Sequence, residues 1–217
     1  MNENYDSFFE EEGIFESINR FEEMINRNAS CYFDIHEFET IIDYYLEQHN
    51  FNNAKAAIER GLKQHPASST IKLRLAQIYI QNGKPSKGLH FLREIEPLEN
   101  CNSEFFLLKG SALNVLGKRE DAHRAFDQAI RLTFDNRDDV VFSIAYSYLN
   151  TRHYNLAIKY LKLALEINPE NLAVIHELAL VYEKIDKLEE SIQCYKEYID
   201  LDPFAEHIWF NLGMVYS

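Results

Sequence analysis

Apolar residues recur along this chain at helical spacing, in paired runs split by a short turn, and the pairs themselves recur. Residues 172–205 show the unit most clearly. Ile175, Leu178, Ala179 and Tyr182 fall on one face of a first helix; Leu188, Ser191, Ile192, Tyr195 and Ile199 fall on one face of a second. Leu201-Asp202-Pro203 ends the unit, since proline cannot continue a helix and biases its predecessor away from helical torsions. One such hairpin cannot bury its own apolar face, so neighbours are expected.

The same signature predicts repeats over 35–68, 69–102, 103–137, 138–171 and 172–205, and the first helix of a sixth over 206–217. The first repeat carries Phe38, Ile41, Ile42 and Tyr45, then Phe51, Ala54, Ile58 and Leu62, and opens on Asp34 and Glu37 at capping-box spacing. Gly61 costs its helix roughly 1 kcal/mol against Ala, which implies close helix approach. In the second repeat Pro85 suits a first helical position, and Pro97 is expected to end the second helix about a turn early, leaving 98–102 as a looser link. The third repeat holds Ala122, Phe126 and Ala129, and Arg137 reads as a single inserted residue. The fourth has Ile144, Ala145 and Tyr148, then Ala157, Leu161 and Ala164. Residues 1–34 read as an acidic half repeat that caps the array. In it a lone helix over 14–28 buries Ile14, Phe15, Ile18, Phe21 and Ile25, and Gly13 separates it from a short frayed segment.

Trp209, Leu212, Gly213 and Tyr216 in the sixth unit, and Ala122, Phe126 and Ala129 in the third, complete the two halves of a known motif. With a 34-residue period and unit-ending prolines at 66, 169 and 203, residues 35–217 resemble the tetratricopeptide repeat family. Departures are Lys72 where Trp is usual, Leu113 where Tyr is usual, and Tyr198 where the later Ala is usual. The resemblance implies an all-α fold, a right-handed α-solenoid of stacked helix–turn–helix repeats, with first helices lining a concave face. Small residues (Ala76, Gly110, Ala145, Ala179, Gly213) are expected to let the helices of a unit approach. The family binds extended peptides or partner helices on that face. There the resemblance places Leu73, Arg74, Gln77, Leu107, Ser111, Phe142, Tyr146, His176, Leu180, Phe210 and Met214. Their apolar members form a stripe that reads as a binding groove or, in part, as core. The carboxylate clamp of the chaperone-binding subfamily is excluded, because only Arg74 among Glu39, Thr40, Asp43, Thr70 and Arg74 has the required character.

Composition narrows the function. The formal net charge is −13, and residues 1–47 hold 13 acidic and 2 basic residues, so the body is nearly neutral and the acidity terminal. That end reads as a solubilising cap, with steering of a basic partner the alternative. Nucleic acid is not an expected partner without clustered Lys and Arg. Neither a secretory signal nor a membrane span of ~18 apolar residues is expected. Three scattered cysteines form no Cys-x-x-Cys pair, which fits a reducing cytoplasm. The eight histidines contain no i, i+4 pair, and no phosphate-binding glycine loop or nucleophile elbow occurs, so no enzyme, metal or cofactor is expected. The last helix is apolar through Trp209, Phe210, Leu212 and Tyr216, and is expected to make intermolecular contacts, self-association among them. The expected function is a non-enzymatic scaffold that binds a protein segment in its groove. The alternative is a regulatory or structural module of a longer chain, docking on another domain or on a second copy.

Overall fold

A computed structural model describes residues 3–27 and 29–216. Asn28 and Ser217, the expected ends of the first and last helices, lie outside the described residues. Among the described residues the regular elements are all helices, and contacts group them into two units, Met1–Asn100 and Cys101–Ser217. The first unit holds α1 (Glu3–Arg27), α2 (Ile35–Glu47), α3 (Phe51–Gln64), α4 (Ser69–Gln81) and α5 (Pro85–Ile95). The second holds α6 (Ser103–Val115), α7 (Arg119–Leu132), α8 (Arg137–Asn150), α9 (Tyr154–Ile167), α10 (Leu172–Lys184), α11 (Leu188–Leu201) and α12 (Glu206–Val215). Within each unit, consecutive helices pair as hairpins (α2 with α3, α4 with α5, α6 with α7, α8 with α9, α10 with α11), and each hairpin packs on the next.

Four of the first helices start where a short polar side chain satisfies an orphan amide, whereas α8 and α12 have no side-chain cap. Asp34 accepts from the Glu37 N–H and Glu37 answers to the Asp34 N–H, a complete capping box; Ser68, Asn102 and Asn171 cap α4, α6 and α10. Five first helices (α2, α4, α6, α8 and α10) end by one device. Their last carbonyls accept two backbone bonds from a residue in the left-handed region and from its successor, the Schellman arrangement. The left-handed residues are His49, Gly83, Gly117, Arg152 and Asp186, with φ between 53° and 73°. The longer-range bonds run from Asn50, Lys84, Lys118, His153 and Lys187 N–H to Tyr45, Tyr79, Leu113, Tyr148 and Tyr182 O, at 2.8–2.9 Å. The extra residue enters at α8, which starts at Arg137, one residue ahead of the expected boundary, behind Asn136 in a left-handed conformation. Pro85 opens α5, and the helix stops at Ile95, ahead of Pro97.

Small residues then set the spacing within a hairpin. A Cβ on Gly110 would lie 2.5 Å from the Phe126 ring, and one on Gly61 would lie 3.0 Å from Ile71 Cδ1 and 3.2 Å from Phe38 Cγ. Gly213 does not repeat this role, since a Cβ there would meet nothing within 4 Å. Ala54, Ala122, Ala157 and Ser191 of the second helices are fully buried. In the first unit, Phe21 of α1 lies edge-on to Phe33 and Phe38, with centroids 5.9 and 6.4 Å away.

The first helix differs from expectation. It runs unbroken through Gly13 from Glu3 to Arg27. One glycine costs a helix only about 1 kcal/mol, less than opening two new ends with their unpaired amides and carbonyls. Its buried face is Ser17, Ile18, Phe21 and Met24, while Ile14 and Phe15 are exposed, because α1 packs mainly on α2 and buries one narrow stripe.

The left-handed turn residues yield a stability prediction. Gly83→Ala and Gly117→Ala meet no steric obstacle at Cβ, so the cost is the backbone term alone, about 1–2 kcal/mol. Asp186→Gly should stabilise by about 1 kcal/mol by the same reasoning. Urea unfolding followed by circular dichroism checks both signs.

Candidate partner-binding face

The first unit supplies three of the expected groove residues, and their surroundings differ. Leu73 is 3% exposed and therefore core, contrary to the expectation of a groove position. The reason is that α4 packs on α2, α3 and α5, which covers more of its circumference than one stripe. Arg74 is engaged by Asp43 of α2, with Nε 2.6 Å from Oδ1 and Nη2 3.1 Å from Oδ2. That planar two-bond pairing occupies the one cation of the clamp-like positions. Gln77 is half-buried, and its Oε1 accepts no hydrogen bond among the described residues.

The second unit carries the other eight on α6, α8, α10 and α12. Leu107, Phe142, His176 and Phe210 occupy one repeated position; Ser111, Tyr146, Leu180 and Met214 lie four residues further, on the same helical face. Tyr146, Phe210 and Met214 are 53%, 69% and 61% exposed, and the remaining five are half-buried. The carrying helices are held side by side. Asn114 of α6 is buried, and its Nδ2 donates to Ser147 O at 3.0 Å and to Thr151 Oγ1 at 3.1 Å. Asn211 of α12 donates through Nδ2 to His176 Nε2 of α10 at 3.3 Å.

His176 is consequently more than a groove residue. Its ring lies edge-on to Tyr198 of α11 and His207 of α12, at centroid distances of 6.3 and 5.8 Å. Burial holds its pKa below the ordinary 6.5, with His207 adding to that effect and Glu177 and Glu183 opposing it. Beside it, the Tyr195 hydroxyl donates to Glu183 Oε1 at 2.5 Å and the Ser191 hydroxyl to the same oxygen at 3.3 Å. Burial, then the bond to Glu183, pushes the Tyr195 hydroxyl well above its ordinary range.

Asn114 and Glu183 escaped the sequence reading, although a signal existed. Each is a polar residue in a repeat position otherwise filled by Leu46, Ile80 and Leu149. The terminal helix also needs correcting. Leu212 is 7% exposed and unavailable for intermolecular contact, because it belongs to the face that α12 lays on α11. Trp209, Phe210 and Tyr216 are exposed, and the Trp209 indole N–H donates to Pro203 O at 2.9 Å.

Comparisons with known proteins agree with this architecture. Residues 21–143 match the family described as Tetratricopeptide repeat-like domain, and residues 139–171 and 172–204 each match the description Tetratricopeptide repeat. "N-alpha-acetyltransferase 16, NatA auxiliary subunit" of Homo sapiens is 26% identical over 155 residues, covering 70% of this chain and 18% of that protein. "TPR repeat-containing protein MJ1428" of Methanocaldococcus jannaschii is 24% identical over 200 residues, covering 87% of this chain and 35% of that protein. The chain thus matches well under two thirds of either relative's length. The crystal structure of TTC0263, a thermophilic TPR protein in Thermus thermophilus, superposes with a TM-score of 0.65 at 15% identity, over 83% of this chain and 98% of that one. The fold is an all-α solenoid of such repeats.

The His176 contacts predict a pH effect of defined sign. The unfolded imidazole takes up a proton near 6.5 and the folded one only at lower pH. Stability present above that value should therefore be lost as the pH falls through the lowered folded value. Melting curves between pH 7.5 and 5 should show a steeper fall in stability for the natural chain than for His176→Gln.

Proposed function

Because the chain belongs to the tetratricopeptide repeat family, we propose that it is a non-enzymatic protein-interaction scaffold whose second unit holds a peptide or helix segment against the first helices α6, α8, α10 and α12. The observation that carries this is the alignment of large, exposed apolar side chains: Tyr146, Phe210 and Met214 share a face with half-buried Leu107, Phe142 and Leu180. Aromatic and Met side chains on a helical groove favour an amphipathic or extended segment with apolar anchors. Leu73 and Arg74 of the first unit take no part, one buried and the other bound to Asp43. The partner is a protein segment, with neither nucleic acid nor a membrane involved, and the setting proposed is cytoplasmic. No helix among the described residues is long and apolar enough to cross a membrane.

Peptides selected from a displayed library on the intact chain provide the test. Their affinities for Tyr146→Ala/Met214→Ala, read by fluorescence polarisation, should fall by about tenfold or more. Both side chains are exposed, so the fold should survive the change. Selected peptides that bind the double variant unchanged would remove this face from the function.

A second reading is favoured by α12 alone: the chain is a regulatory or structural module that associates through this helix with a second copy or with another domain. Trp209, Tyr216 and the neighbouring Phe204 are exposed together, an apolar concentration that soluble surfaces rarely leave uncovered. The human relative is itself named as an auxiliary subunit. Sedimentation velocity should show concentration-dependent association that Trp209→Ala/Tyr216→Ala weakens by about tenfold. A single monomeric species for both proteins at every concentration would end the self-association arm of this reading.

A further inference from the structure

Away from the apolar face, a cavity of about 410 Å³ opens along the hairpin turns of the second unit, with Arg119, Arg152, His153, Tyr154 and Asn155 in its lining. No carboxylate lines it, in a chain with 35 acidic and 22 basic residues. Among the described residues neither guanidinium has an acidic partner within ion-pair distance, whereas Arg20, Arg74 and Arg124 each have one. Two unneutralised cations in one concavity form a locally positive site on an otherwise acidic protein.

The site is held from beneath. Arg119 Nη2 donates to His153 Nε2 at 2.7 Å, which makes that nitrogen the acceptor and leaves the ring proton on Nδ1. Nδ1 in turn donates to Thr151 Oγ1 at 2.8 Å, and Thr151 Oγ1 accepts from buried Asn114. One edge of the Arg119 guanidinium is thereby tied through the turn between α8 and α9 to α6, and its other N–H groups are left for an incoming acceptor. The His153 ring, spent on these bonds, does not cap α9, whose first residues Tyr154 and Asn155 line the same cavity. Guanidinium forks and helix amides both match a compact ligand with several oxygens and more than one negative charge. A carboxylate, with two oxygens and one charge, would satisfy only one of the two guanidiniums bidentately.

We propose that this cavity binds a phosphoryl group, held by Arg119 and Arg152 over the amino end of α9. The site is separate from the apolar face, and its failure would leave the scaffold function untouched. The test is titration of the intact ¹⁵N-labelled chain with inorganic phosphate, with a phosphoserine tripeptide and with acetate at matched ionic strength. Phosphate should give saturable shifts at the Tyr154 and Asn155 amides and bind roughly tenfold tighter than acetate. Arg119→Gln should weaken phosphate by about tenfold. Arg152→Gly removes the second guanidinium from a left-handed residue with φ 59°, so it should weaken phosphate similarly while leaving the unfolding midpoint unchanged or higher. Tighter binding of the tripeptide would identify a phosphorylated side chain as the source, and equal binding a free phosphate; either supports the site. Unsaturable shifts, acetate binding as well as phosphate, or full affinity in both variants would overturn it.

Discussion

Reversing the chain within three residues, the same way each time, is the constraint on which the rest of this molecule depends. Five first helices end in a left-handed residue whose two bonds cap the carbonyls of the last turn. That local geometry lays each second helix back along its own first helix, and places Gly110 under Phe126. Without the reversal, the small residues would have no partner to approach and the alanines of the second helices no neighbour to stack on. Glycine fills only two of the five turns. His49, Arg152 and Asp186 accept a less favourable torsion, which the bonds around it hold in place.

On this frame the repeats have diverged in ways that couple neighbours. Asn114 replaces an aliphatic residue and reaches from α6 to Ser147 and Thr151 on and beside α8. Glu183 does the same within one hairpin by accepting from Tyr195 and Ser191. Asp138, at the start of α8, accepts from Asn168 and Asn171, and those donors hold its carboxyl below the usual range. In the first unit Gln64 fastens the segment before α2, donating to Cys31 O and accepting from the Phe33 N–H. Apart from those of Glu183, which stay within one hairpin, each bond spans roughly one repeat, so stacking is specified by polar contacts as well as by apolar burial.

Two surfaces of the second unit follow from one polar network. Asn114 sits between α6 and α8, whose exposed face carries Tyr146, and the same network continues through Thr151 and His153 to Arg119 on the turn edge. Apolar and cationic surfaces are thus built on shared supports, one by the first helices and one by the turns that end them. His176 shows the converse: a residue on the groove face is drawn into packing between α10, α11 and α12.

Sequence alone determined the helical period, the hairpin pairing and most helix ends. These are local matters: Asp34 with Glu37, Pro85 and Pro97 act on amides and torsions within a few residues of themselves. Face membership was legible for the same reason, since four residues always return to one side of a helix. What only the tertiary structure decided is how much of each face stays uncovered. Leu73, Leu212 and His176 look like groove or contact residues in their own helices, and Arg74 like a spare cation. Asp43 lies 31 residues from Arg74, and Asn211 lies 35 from His176. Gathering Arg119 and Arg152 beside one cavity likewise took the stacking of successive turns. Burial and ion pairing depend on what a neighbouring hairpin brings within a few ångströms, and periodicity says which side a residue is on without saying what meets it there.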